Sequence, residues 1–358
     1  MNVLEQQLTY PFGDTLPEAG HAVEVAPGVR WIRMPLPFVL DHINLWLLRD
    51  QIDGVQGWTI VDCGITDPSI KGHWEQIFAQ HLDGLPVLRV IVTHFHPDHV
   101  GLAHWICAGG DHTRWNVPLW MSLGEYMTAR MLCVGDVSGS SAGGEAAAHH
   151  FKLHGMLEGD DLDKIRARKD YYSRLVPRMP ESYRRMRDND VIRIGDRDWR
   201  VITGFGHSSE HCALATEQGD ILISGDMVLP RISTNVSVFD VEPEANPLAW
   251  FLESLDRYDP LPEQTLVLPS HGKPFRGLHT RLGQLRDHHA ARLQEVRDAC
   301  ADHPCSAADI LPMMFKRKLD THQITFAMGE ALAHLHVLWQ TGELRRVRGD
   351  DGVLRFAA

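Results

Sequence analysis

Val87-Leu88-Arg89-Val90-Ile91-Val92-Thr93-His94-Phe95-His96-Pro97-Asp98-His99 is the stretch that decides the fold of this 358-residue chain. An apolar run of strand length stops at Thr93 and gives way to a polar loop with Pro97 inside it. A short buried strand that ends in a functional loop belongs to a layered α/β domain, where ligand sites lie beyond the carboxyl ends of strands. The loop places three histidines and an aspartate within seven residues, whereas the whole chain has 22 histidines in 358 positions. In extended backbone, positions i and i+2 project to the same side, so His94 and His96 can converge on one ion. Pro97 then turns the chain and sends Asp98 and His99 to a second locus nearby. Imidazole and carboxylate together are the ligand set of zinc, and equally of iron or manganese.

Outward from this loop, the upstream third reads as strands: Val23–Met34 with a turn at Pro27-Gly28, His42–Leu48, and Trp58–Val61. Residues Ser69–Leu82 carry Ile70, Trp74, Ile77, Phe78 and Leu82 at helical spacing. Downstream, strands are expected at 191–194, 199–202, 212–215, 220–224 and 266–269. Three of the apolar runs, or the residues just past them, lead into further donors. These are Gly206-His207-Ser208-Ser209-Glu210-His211, Ser224-Gly225-Asp226 and Pro269-Ser270-His271-Gly272.

The ordered set (His-x-His-x-Asp-His, Gly-His-Ser, Gly-Asp, Ser-His-Gly) resembles the metallo-β-lactamase superfamily over roughly residues 20–280. The resemblance implies an αββα sandwich, two sheets packed face to face with helices outside, and a glyoxalase II-like site for two divalent metal ions. It assigns His94, His96 and His207 to the first ion, Asp98, His99 and His271 to the second, and Asp226 to a bridge between them. Asp62, in Thr59-Ile60-Val61-Asp62-Cys63-Gly64, matches the early aspartate that supports the metal loop without touching an ion. Zinc is the first choice of metal, with iron or manganese compatible. Two such ions about 3.5–4 Å apart can share a water and lower its pKa towards ~7, giving a bridging hydroxide at neutral pH. The expected reaction is hydrolysis of a thioester, ester or lactone, with Asp98 as the catalytic group that orients the water and carries its proton. True β-lactamases of the superfamily usually have cysteine or serine near the Gly-Asp position, so Asp226 points away from dedicated antibiotic resistance and leaves only weak promiscuous β-lactamase turnover. The alternatives are a metal-dependent nuclease or phosphodiesterase and a mononuclear iron persulfide-type dioxygenase.

The chain divides at about residue 280. Residues 1–280 read as the catalytic domain, with a Gly/Ser-rich link at Ser138–Gly144 opening a helical insertion over about 138–190. From Glu158 to Asp198 the insertion has 11 Lys/Arg and 10 Asp/Glu with signs mixed, so a solvated helical face is the first expectation. The sharper alternative is a cap whose Tyr171, Tyr172, Tyr183, Arg184 and Arg185 touch substrate. Residues 281–358 read as three helices and a β-hairpin, and resemble the winged-helix extension of the LACTB-2-like branch. That tail has a net charge of only +1. The whole chain carries −12 from 35 basic and 47 acidic residues, a poor field for binding nucleic acid. A small-molecule substrate, no nucleic acid and no membrane partner are therefore expected, with the tail serving packing or a homodimer. No apolar run approaches the ~18–20 residues of a membrane span, and Glu5 stands where a signal peptide would be basic. Six cysteines with no Cys-x-x-Cys spacing read as reduced thiols in a cytoplasmic protein. Among the remaining histidines, His149, His150 and His154 are expected on a surface or cap helix and His288-His289 in solvent. His322, His334 and His336 are expected to pack within the tail, and His211 to lie beside the site.

Overall fold

The structure, a computed structural model, describes residues 3–107, 115–134 and 143–358, without the side chains at 321 and 322. Ser138–Ala142 of the Gly/Ser-rich link and the His322 side chain therefore lie outside the described residues.

The first sheet holds seven strands in chain order: β1 (Ala22–Ala26), β2 (Val29–Pro35), β3 (His42–Ile52), β4 (Val55–Val61), β5 (Val87–Ile91), β6 (Leu119–Met121) and β7 (Arg184–Arg185). The first four pair antiparallel, and β4 to β7 run parallel. The second sheet holds β8 (Val191–Ile194), β9 (Arg197–Gly204), β10 (His211–Thr216), β11 (Ile221–Gly225) and β12 (Leu266–Pro269), in the order β12-β11-β10-β9-β8. A hairpin of β13 (Arg345–Arg348) and β14 (Leu354–Ala357) stands apart. The helices are α1 (Pro68–Gln80), α2 (Pro97–Val100), α3 (Ala103–Cys107), α4 (Leu123–Cys133), α5 (Gly144–Leu153), α6 (Asp160–Ala167), α7 (Tyr171–Leu175), α8 (Pro247–Leu255), α9 (Leu278–Asp302), α10 (Ala307–Met314) and α11 (Thr321–Gln340).

Period-two alternation sorts the strand side chains between two cores. Trp31, Trp46, Leu48, Val61 and Ile91 of the first sheet face Trp199, Val201, Leu214, Ile223 and Leu268 of the second, forming the core between the sheets. Their neighbours Ile32, Leu45, Leu47, Ile60 and Val90 point outward against Ile70, Trp74 and Ile77 of α1. Asp67 caps α1 by accepting the Ser69 N–H, and Trp74 Nε1 donates to the Cys63 carbonyl at 2.7 Å. On the far side, Ala213, Ala215, Leu222 and Val267 of the second sheet pack with α5, α6, α8, α9 and α11. The layers are helix, sheet, sheet, helix, which is the αββα sandwich. The insertion straddles it. Helices α5 and α6 join the core that contains the C-terminal helices, while Tyr172 and Val176 on or beside α7 join the core outside the first sheet.

Three histidines depart from expectation. His150 and His154 are buried, as is His289, all within contacts between α5, α8, α9 and α11. The charge of these segments pointed to the surface, and α5 does keep Glu145, His149 and Lys152 exposed, but its other face is buried against the C-terminal helices. Among the described residues no helix is long and apolar enough to cross a membrane.

Candidate metal centre

Strands β4, β5, β9, β11 and β12 all end near one edge of the sandwich, and every expected donor arrives there just past a strand, on a loop or, for Asp98 and His99, on the short helix α2. Asp62 follows β4, with a left-handed φ of +63°. Its carboxylate accepts the Thr93 N–H at 2.8 Å and the Thr93 hydroxyl at 2.9 Å, and it holds His99 Nδ1 at 2.8 Å. It grips the loop and the far nitrogen of one donor ring, as a supporting group should.

The donors form two groups. In the first, His94, His96, His207 and Asp226 each offer an atom within 4.8 Å of the others; in the second, Asp98, His99 and His271 do the same. His94 Nε2 stands 2.9 Å from His96 Nδ1 and 3.2 Å from His207 Nε2. Asp226 joins the groups. Its Oδ2 lies 3.4 Å from His207 Nε2, while its Oδ1 lies 3.6 Å from His99 Nε2 and 3.5 Å from His271 Nε2. Asp98 Oδ2 is 3.4 Å from His271 Nε2 and 3.7 Å from His99 Nε2. Two donors about 2.1 Å from a tetrahedral ion stand about 3.4 Å apart, so these separations fit shared ligation. His99 Nε2 and Asp226 Oδ1 are buried with no hydrogen-bond partner, a costly arrangement that a cation between them would relieve. The donor set fits two divalent ions.

Electrostatics divide the site. Burial, followed by neighbouring imidazoles, pushes His94 and His96 well below the usual histidine range. Burial opposes the charge of His99 too, but the carboxylates of Asp62, Asp98 and Asp226 overcome it and raise His99 to about 10. Asp226 is held well below the carboxylate range: burial opposes ionisation, and His271 and His99 outweigh it.

Three further supporting groups, Glu125, Asn44 and His42, carried no signal in the sequence, unlike Asp62 and His211. Glu125 on α4 is fully buried, and its carboxylate accepts the Phe95 N–H at 2.8 Å, the Ser208 hydroxyl at 2.7 Å and the Glu210 N–H at 2.5 Å. It therefore fastens the His94–His96 loop to the His207 loop. Asn44, also fully buried, accepts from Trp31 Nε1 and donates to the Pro269 and Gly272 carbonyls, tying β3 to the turn that carries His271. His42 accepts the Gly272 N–H at 2.8 Å through Nε2, and its own carbonyl accepts from His271 Nδ1. Burial, outweighing the Asp41 carboxylate that would raise it, lowers His42 to about 4, so it is neutral and able to accept. His211 lies beneath the site and accepts the Asp226 N–H at 3.2 Å. Gly225 is needed there, because a Cβ would fall 2.2 Å from His211 Nε2.

Of the five cap residues considered as substrate contacts, four are committed elsewhere. Tyr172 is buried and donates its hydroxyl to the Phe95 carbonyl at 2.6 Å. Tyr183 stacks on Tyr126, with ring centroids 3.8 Å apart, and Arg184 covers Trp120 at 4.1 Å. Arg184 and Arg185 form β7 on an exposed edge. Tyr171 is the fifth, half-buried and near enough to Asp98 to feel its charge. The Arg168 guanidinium sits 4.3 Å over its ring, and its hydroxyl is pushed up first by burial and then by the Asp98 carboxylate.

Comparison with known proteins agrees with this arrangement. The model of the metallo-beta-lactamase superfamily matches residues 39–130 and 135–280, and that of the metallo-beta-lactamase-like C-terminal domain matches residues 293–358. The chain belongs to the metallo-beta-lactamase superfamily. It is 65% identical to a beta-lactamase domain protein from Burkholderia ambifaria, whose crystal structure superposes with a TM-score of 0.94 over 99% of both chains. A metallo-beta-lactamase family protein from Thermus thermophilus is 27% identical, with a TM-score of 0.73 over 93% of this chain and 99% of that one. Among curated proteins, the probable metallo-hydrolase YqjP of Bacillus subtilis (strain 168) is 23% identical over 316 residues, or 86% of this chain and 91% of that one.

Proposed function

We propose that this protein is a metal-dependent hydrolase that holds two divalent ions, zinc by preference, and cleaves a thioester, ester or lactone in a small-molecule substrate. The position of Asp226, with one carboxylate oxygen towards each donor group, carries the reading. The name of the Bacillus relative, probable metallo-hydrolase, supports the reaction class. His94, His96 and His207 would hold one ion, Asp98, His99 and His271 the other, and Asp226 both. When bound, the pair supplies Lewis acidity for the acyl oxygen and brings the pKa of a shared water near neutrality.

The protein's own groups do the rest. The Asp98 side chain is 19% exposed, against 10% for Asp226 and 0–3% for His99 and His271. Asp98 is thus the carboxylate a water can reach, placed to orient it and take its proton. A thiol nucleophile is disfavoured: burial raises Cys63, Cys107 and Cys212 above the usual thiol range, so all three stay protonated. We assign Tyr171 and Arg168 to the substrate side of the cap, because Tyr171 feels the Asp98 charge and carries Arg168 over its ring. We read the C-terminal helices and hairpin as a winged-helix-like unit that packs, because its near-zero charge is poor for gripping phosphates.

The test is elemental analysis of protein purified without added metal, followed by a panel of acyl-thioesters, lactones, β-lactams and phosphodiesters. Two zinc equivalents, with acyl hydrolysis abolished by a chelator and restored by zinc, is the expected result. Turnover of phosphodiesters alone would replace this reading with a nuclease. One iron with oxygen uptake would replace it with a dioxygenase.

A further inference from the structure

We infer that helix α11 of the C-terminal region aims the first metal's ligands through segment 234–238, with Gly329 and Ser237 as positioning residues. The inference rests on the reading of His207 and Asp226 as ligands.

One end of the segment grips the metal edge. The Thr234 hydroxyl donates to the Asp226 carbonyl. The Asn235 carbonyl accepts from His207 Nδ1 at 2.7 Å. A carbonyl can only accept, so this contact puts the proton on Nδ1 and leaves the Nε2 lone pair facing His94 and Asp226. The other end grips α11. The Val238 N–H donates to the Gly329 carbonyl at 3.1 Å, and the Ser237 hydroxyl donates to Asn235 Oδ1 at 2.8 Å and reaches the Phe326 carbonyl at 3.4 Å. Val236 and Val238 are fully buried in the core that contains Met328, Ala331 and Leu332. Gly329 sets the separation. A Cβ there would lie 2.6 Å from Ser237 Cβ and 2.7 Å from its Oγ. Any side chain at 329 must therefore push residues 235–238, and with them the carbonyl that orients His207. The second group has different braces: Asp62, His42 and Asn44, all from the sandwich itself.

Gly329→Ala tests the inference, since alanine is the better helix former and does not weaken α11 by propensity. Cobalt(II) is titrated into metal-free protein and followed by its visible absorption and by competition with a chromophoric chelator. The expected result is that one of two ions binds at least tenfold more weakly with an altered spectrum, while the other ion and the far-UV circular dichroism are kept. Adding Ser237→Gly to the same chain reopens the space and should recover most of the loss. Wild-type affinity for both ions in a folded Gly329→Ala protein, or a loss that Ser237→Gly does not relieve, would overturn the inference. Should Gly329→Ala fail to fold, Ser237→Ala carries the test. It adds no bulk and removes the hydroxyl that holds Asn235, so binding of one ion should weaken about threefold, and unchanged binding would overturn the inference. His207→Ala is the control: wild-type stoichiometry in that variant overturns the ligand assignment and the inference with it. A defective His207→Ala beside an unaffected Gly329→Ala overturns the inference alone.

Discussion

Among the described residues two regions bury histidines, and only one gathers groups that could hold an ion. At the strand-end edge, His94, His96, His99, His207 and His271 converge with Asp98 and Asp226. At the junction of the insertion with the C-terminal helices, His150, His154, His289, His334 and His336 are just as buried. There the charges that act most strongly on them are other imidazoles and arginines, with Glu244 acting on His336 the exception, while the Glu330 carboxyl on α11 is raised by burial to about 7. Three of these histidines have a simpler use. His154 Nδ1 donates to the His150 carbonyl, His334 Nδ1 to the Glu330 carbonyl and His336 Nδ1 to the Ala245 carbonyl, all at 2.8 Å. Burial lowers His150 and His289 to about 3 and His154 and His334 to about 4. Histidine count and burial do not distinguish a metal site from a neutral packing cluster; carboxylates of opposite charge do, because they supply the anionic field that a divalent cation needs.

The largest effect should come from breaking the first region. His94→Ala and Asp226→Ala should each lower hydrolysis by about a thousandfold or more through loss of metal, as removal of groups that act as one unit does. Metal content by elemental analysis, measured beside kcat/KM, checks this. Glu125→Ala should cost about 10–100-fold in metal affinity or activity, the usual range for groups that orient ligands. It leaves all seven donors present, so isothermal metal titration separates loosened loops from a lost ligand.

The second region predicts a pH effect on stability. Its histidines have folded pKa values below the unfolded value of about 6.5, so the unfolded chain takes up protons first as pH falls. The contribution of these histidines to stability should therefore be level above about pH 6.5 and decline from there down towards pH 4. Each such group contributes up to about 1.4 kcal/mol per pH unit inside that window. Thermal melts from pH 7.5 to 4.5 measure it, and His150→Gln combined with His334→Gln should flatten the slope. The smallest effect belongs to the contrast itself: His150→Gln with His154→Gln should leave metal stoichiometry unchanged, and a fall of one equivalent would erase the distinction between the two regions.

Much of the site was legible because its donors are local. His94-Phe95-His96-Pro97-Asp98-His99 is one turn of chain, and His207, Asp226 and His271 each follow an apolar run. The strand character of β2 and β3 and the periodicity of α1 were equally plain. Glu125, Asn44 and His42 were not, since nothing next to Glu125 in Leu123-Gly124-Glu125 shows that two loops far apart in the chain will close over it. The burial of His150, His154 and His289 was hidden for the same reason: an amphipathic helix looks alike whether its polar face meets water or another domain.

The sequence by itself determined the layered α/β class, the strand ends and which histidines and aspartates follow them as candidate donors, because side-chain period and residue type are properties of short segments. Only the tertiary structure decided that Asp226 stands between two donor groups, that Glu125 ties their loops together, and that α11 presses on the segment orienting His207. Those facts depend on distances between residues far apart in the chain, and such distances are set by how the two sheets and the C-terminal helices pack.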